Sequence, residues 1–169
     1  MNLLFKQGIK ISLAILINCS VLISQAGFLH NVDGEIVDGD GEPILLRGFG
    51  LGGWLVPEGY MLHNQAWIAG FESPTDIENH VLDLFGPERA EDFWELYRTN
   101  YVAQADIDQI AEWGFNHIRV PFHYKQFYDP TGTDTPIGYE IIDELINWCQ
   151  PHNMYIILDM HCAPGGQNG

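Results

Sequence analysis

Met154-Tyr-Ile-Ile-Leu-Asp-Met-His-Cys-Ala-Pro-Gly-Gly-Gln-Asn-Gly169 is the stretch that settles the fold class. Its opening run, Met154 to Leu158, is short, apolar and free of Gly and Pro, the pattern of a strand buried on both faces of a parallel sheet. Asp159 and His161 follow at the carboxyl end of that run, ahead of a glycine-rich loop. Ligands of α/β folds lie at the carboxyl ends of parallel strands, so this end is where chemistry is expected.

Working outward, Phe115-Asn-His-Ile-Arg-Val-Pro121 reads as a second strand. Between the two, Tyr139 to Gln150 carries Ile142, Leu145, Ile146 and Cys149 at helical spacing. Strand, helix and strand, with starts 39 residues apart, make a βαβ unit, and such crossovers build parallel sheets. Pro121 is expected to end pairing where the loop His123 to Tyr128 begins. Further upstream, Ile44-Leu45-Leu46 leading into Arg47-Gly-Phe-Gly-Leu-Gly-Gly-Trp54 is read as the first core strand, opening into a loop of glycines and aromatics. Three helices should separate it from the second strand: one after the cap pair Ser73-Pro74 as far as Phe85, one from Glu88 to Tyr101, and one from Gln104 to Trp113 ending at Gly114. Asp-Gly pairs between short apolar pieces over Phe28 to Leu46 are hairpin punctuation. A calcium loop would need a closing glutamate at its twelfth position, which is missing.

The first 26 residues carry Lys6 and Lys10, an apolar run from Ile11 to Ile23, and the small-residue pattern Ser24-Gln25-Ala26. That is the form of a cleaved secretory signal peptide, and the apolar run is short of the roughly 20 residues a bilayer span requires. Export to the extracellular or periplasmic space is expected, with lipid attachment at Cys19 a minor alternative. Without those 26 residues and their two lysines, 143 residues remain in which five Lys/Arg face 23 Asp/Glu, a formal charge of −18. So acidic a surface is a poor partner for nucleic acid or an anionic membrane, whereas a neutral polymer is acceptable. Cys149 and Cys162 could pair in an oxidising compartment or stay free, and no Cys/His group has zinc-ligand spacing.

Gly48-x-Gly50-x-x-Gly53 matches the dinucleotide-binding pattern in letters but not in context. That motif needs a helix starting at its last glycine to hold a pyrophosphate, and Pro57 and Gly59 occupy that place. The same loop sets Trp54, Glu58 and Tyr60 close together: two rings for the C–H face of a sugar and a carboxylate for its hydroxyls. Trp54 fits core packing equally well. Arg119 stands in an otherwise apolar strand near its carboxyl end and needs a carboxylate partner, structural or catalytic. His161 lies at the loop edge beside Asp159.

Together, Leu46-Arg-Gly-Phe-Gly-Leu-Gly-Gly-Trp-Leu55, Gly114-Phe-Asn-His-Ile-Arg-Val-Pro-Phe122 and Ile157-Leu-Asp-Met-His-Cys-Ala-Pro-Gly-Gly-Gln-Asn-Gly169 resemble glycoside hydrolase family 5, nearest to its exo-β-1,3-glucanase and related β-glucanase branch. The resemblance runs from about Gly34 to Gly169. It implies an α/β architecture, the N-terminal part, about three strands, of a (β/α)8 TIM barrel, with residues 27–169 as the start of the catalytic domain. It also implies a secreted, retaining β-glycosidase acting on a β-linked glucan or oligosaccharide without metal or cofactor. Arg119 matches the arginine that supports the nucleophile glutamate, and His161 matches the histidine lining the subsite next to cleavage. Glu58 and Tyr60 match the pair that binds the terminal sugar, and Trp54 and Asn168 are placed with them as substrate-binding residues. Cys162 and Met160 depart from the glycine and leucine usual in the third motif. In that family the two catalytic glutamates follow the fourth and seventh strands, so both are expected beyond Gly169, and these 169 residues alone are expected to be inactive. A secreted carbohydrate-binding protein or pseudoenzyme is the alternative, and a nucleotide-binding domain using the glycine run is the third.

Overall fold

The structure, a computed structural model, describes residues 27–62, 73–129, 131–132 and 136–165. The signal-peptide expectation for residues 1–26 and the site expectation for Asn168 lie outside the described residues. The chain opens with the expected hairpin, β1 (His30–Val32) against β2 (Glu35–Val37), antiparallel, with Asp33 and Gly34 at positive φ in the turn. The Asp38 carboxylate accepts the backbone N–H groups of Asp40 and Glu42, which is turn chemistry. Three further strands form a parallel sheet in the order β3 (Gly48–Gly50), β4 (His117–His123), β5 (Tyr155–Cys162).

Two strand boundaries differ from the sequence reading. Ile44 to Leu46 is not sheet: the Leu45 carbonyl accepts from Asn116 Nδ2 and the Arg47 N–H donates to Asn116 Oδ1, so a side chain takes the place of the ladder there. In the other direction, β4 continues through Pro121 to His123. Arg119 C=O and His123 N–H both face the β3 side, accepting from Leu51 N–H and donating to Leu55 C=O. By alternation the donor that Pro121 lacks would face that side too, opposite Leu51 to Trp54, where the first strand has left the ladder. The residues after His123 form a 3-10 turn, Tyr124–Phe127.

The expected helices are present as α2 (Pro74–Phe85), α3 (Pro87–Tyr101), α4 (Gln104–Glu112) and α5 (Ile137–Cys149), after a single-turn α1 (Gly59–Leu62). Ser73 caps α2 reciprocally with Asp76, and Gly86 at φ +75° breaks the chain ahead of Pro87. The core lies between one face of the sheet and helices α4 and α5: Ile118, Val120 and Phe122 of β4 meet Ile107 and Ile110 of α4 and Ile142, Leu145 and Cys149 of α5. Ile146, expected on the same helix face, is largely exposed. It lines an apolar groove of about 900 Å³ beside Phe28, Leu29, Ile156 and Leu158. Among the described residues β5 is an edge strand, so Ile157, Leu158 and Met160 are exposed rather than buried on both faces.

Candidate functional site

The face of the sheet opposite the helices carries the polar residues. Arg119 pairs with Ile157 and Pro121 with Asp159 in register, so Arg119 and Asp159 are diagonal neighbours on one face. Arg119 Nη2 donates to Asp159 Oδ2 in an ion pair. The same oxygen lies 3.0 Å from His161 Nδ1, and Arg119 Nη2 lies 3.4 Å from that nitrogen. His161 sits in a bulge: Phe122 pairs with Met160 but His123 with Cys162, leaving one extra residue in β5. Bulges re-aim side chains beside active sites, and this one sets the imidazole at the carboxyl end of the sheet. Among the described residues the Arg119 side chain is 44% exposed and that of Asp159 29%.

The second group stands on the loop after β3. Tyr60 donates its hydroxyl to Glu58 Oε2 at 3.3 Å, and both residues lie at the start of α1. Partial desolvation, then the Glu58 charge and this hydrogen bond, raise the Tyr60 phenol above its ordinary value. Cys162, the buried last residue of β5, has its thiol pushed up by burial and then by the charges of Glu58 and Asp159. Glu58, Tyr60, Arg119 and His161 are thus gathered at the strand ends where the sequence placed them.

Trp54 is not part of that surface. It is 3% exposed within the core, and its indole N–H donates to the Arg98 carbonyl at 2.8 Å. The expectation of a sugar-facing ring at Trp54 is corrected accordingly: its faces are covered by protein. That hydrogen bond is one of three by which α3 holds the loop. Tyr97 OH donates to Gly53 C=O at 2.6 Å and Tyr101 OH to Gly52 C=O at 3.1 Å. Burial, and then Tyr101, raise the Tyr97 phenol, which stays a donor. Gly53 has φ +82°, and a Cβ there would come within 2.5 Å of Tyr101 Oη. Gly48 is needed for a different reason, since a Cβ would meet the His117 imidazole at 1.8 Å. The glycine run therefore serves packing and a braced turn, and no helix begins at Gly53 to hold a pyrophosphate.

Asp159, at the strand end where chemistry is expected, joins Arg119 to His161, and its alternation with His161 along the strand is the sequence signal that both share a face. Tyr97 and Tyr101 gave no comparable signal. Cys149 and Cys162 are both free and buried. Among the described residues, no group of three or more His, Cys, Asp or Glu could hold a metal ion, and no helix is long and apolar enough to cross a membrane.

A model of the Cellulase family, glycosyl hydrolase family 5, matches residues 75–168. The chain belongs to glycosyl hydrolase family 5. A beta-xylosidase of Phanerodontia chrysosporium is 36% identical over 137 residues, spanning 79% of this family 5 chain and 27% of that protein. A glucan 1,3-beta-glucosidase of Candida oleophila is 32% identical over 133 residues, spanning 73% of this chain and 30% of that protein. Among solved structures, the rutinosidase from Aspergillus niger superposes with a TM-score of 0.59 at 26% identity, over 73% of this chain and 34% of that one. The chain thus spans under a third of the length of these curated relatives. The three parallel strands with their connecting helices are part of a (β/α)8 barrel.

Proposed function

We propose that this family 5 chain belongs to an exported retaining β-glycosidase that cleaves a β-linked glucan or oligosaccharide. The observation that carries the reading is the set Arg119, Asp159 and His161 on adjacent parallel strands, with the Glu58–Tyr60 pair at the same end of the sheet. Such a surface offers a cation, hydroxyl acceptors and an exposed ring, which is what a neutral sugar requires. Retention needs two carboxyl groups about 5–5.5 Å apart, one protonating the leaving oxygen and one attacking the anomeric carbon. By family resemblance those are two glutamates after later strands, and Arg119 supports the attacking one. Asp159 is already engaged by Arg119 and His161, and Glu58 is bonded to Tyr60. Support for a glucan comes from the name of the Candida relative, and the name of the Phanerodontia relative makes β-xyloside the second substrate to try.

The test is to read the coding sequence past the Gly169 codon, express the longer product, and incubate it with laminarin, cello-oligosaccharide and an aryl β-xyloside. Expected are an Asn-Glu pair within about one further βα unit, a later strand-end Glu, and release of sugar whose first-formed anomer is β. Reducing-sugar release by these 169 residues alone, lost on Glu58→Gln, would overturn the assignment of the chemistry to later glutamates. Export is checked by the N-terminus of the secreted product, expected at Gly27.

A further inference from the structure

We infer that Asp159 is a positioning residue that holds the His161 ring through its Nδ1–H, leaving Nε2 for a sugar hydroxyl. Only the word sugar rests on the glycosidase reading; the Nδ1–H contact rests on geometry. Asp159 Oδ2 takes the Arg119 guanidinium on one side and lies 3.0 Å from His161 Nδ1 on the other. That oxygen, paired with the guanidinium, is an acceptor. A bare Nδ1 would set its lone pair against that oxygen, so the ring proton sits on Nδ1 and is donated to Asp159. Among the described residues both close polar contacts of His161 are at Nδ1, which leaves Nε2 to a ligand.

The local backbone explains why such a residue is needed. His161 is the extra residue of the β5 bulge, so the ladder does not fix its ring. Asp159, two positions earlier and on the same side of the strand, does. Arg119 in turn orients Asp159, because its donor holds an oxygen at the corner facing Nδ1. Asparagine at position 159 would therefore keep its carbonyl oxygen at that corner and preserve the Nδ1–H contact, whereas alanine would release the ring to the Nε2–H form that free histidine prefers.

The experiment is a long-range proton–nitrogen correlation spectrum of the longer enzyme carrying 15N-histidine, with His161 identified by its loss in His161→Gln. Expected is a protonated-type shift at Nδ1, retained in Asp159→Asn and lost or mixed in Asp159→Ala. A bare Nδ1 in the unaltered enzyme, its folding verified by a cooperative urea transition, overturns the inference. An Nδ1–H form that survives Asp159→Ala overturns the role of Asp159. The measurement uses no sugar, so its failure leaves the glycosidase reading standing, and failure of hydrolysis leaves the Nδ1–H contact standing.

Discussion

Replacing Arg119 by methionine separates a structural ion pair from a working one. The change keeps the aliphatic stem and removes the cation. In the structure the Arg119 side chain is 44% exposed and Asp159 29%, and Asp159 retains His161 as a partner when the arginine goes. Exposed pairs contribute about 0.2–1 kcal/mol, against about 3–5 kcal/mol for breaking a buried pair. The folded state should therefore lose under about 1 kcal/mol, a shift of about 2–4 °C at most in a domain of some 150–250 residues. Activity should respond far more. A hydrogen bond to a charged group contributes about 1.5–3 kcal/mol, which at 1.36 kcal/mol per decade is roughly a 10- to 150-fold fall in kcat if Arg119 supports the nucleophile. The assays are a urea titration of these 169 residues and, on the longer enzyme, kcat on laminarin, each for Arg119→Met and the unaltered protein. A loss above about 3 kcal/mol with kcat unchanged would refute the reasoning and make Arg119 a purely structural residue.

Three further outcomes are expected. Tyr97→Phe should strand the Gly53 carbonyl, cost about 1 kcal/mol, and loosen the loop bearing Glu58 and Tyr60, seen as faster hydrogen exchange over residues 52–60 and a higher KM; unchanged exchange would show that α3 does not brace the loop. Burial pushes the Cys149 thiol from 9.0 up to about 11, so the folded state holds its proton where the unfolded state has lost it; Cys149 should then cost no stability below pH 9 and destabilise progressively from pH 9 to 11, a fall in urea midpoint that Cys149→Ala should reduce. Residues 27–169 expressed alone should self-associate through the β5 edge with its exposed Ile157, Leu158 and Met160, and a monomer with a reversible, cooperative melt would contradict that.

Much of this was legible because it is encoded locally. The caps at Ser73-Pro74, the break at Gly86-Pro87 and the 3.6-residue spacing of Ile142, Leu145 and Cys149 each act within a turn or two, so the helices formed close to where the sequence put them. Apolar runs gave β4 and β5, and their order with α5 between gave a parallel sheet. Glu58, Tyr60, Arg119 and His161 fell at one end of the sheet because a parallel strand's direction follows from its crossover.

The amino-acid sequence by itself determined the order and type of the elements, the family, and which polar residues stand at strand ends. Tertiary structure alone decided the partners. Arg119 meets Asp159 across 40 residues of chain, and Tyr97 meets Gly53 across 44. Trp54 turned inward because an acceptor, the Arg98 carbonyl, waits for its N–H within the core. Pro121 stayed in its strand because the donor it lacks faces a gap left by another segment. Periodicity and capping report what a residue does to its own turn or strand. Which side chain fills a cavity or completes a hydrogen bond depends on register and packing between segments, and those exist only once the chain has folded.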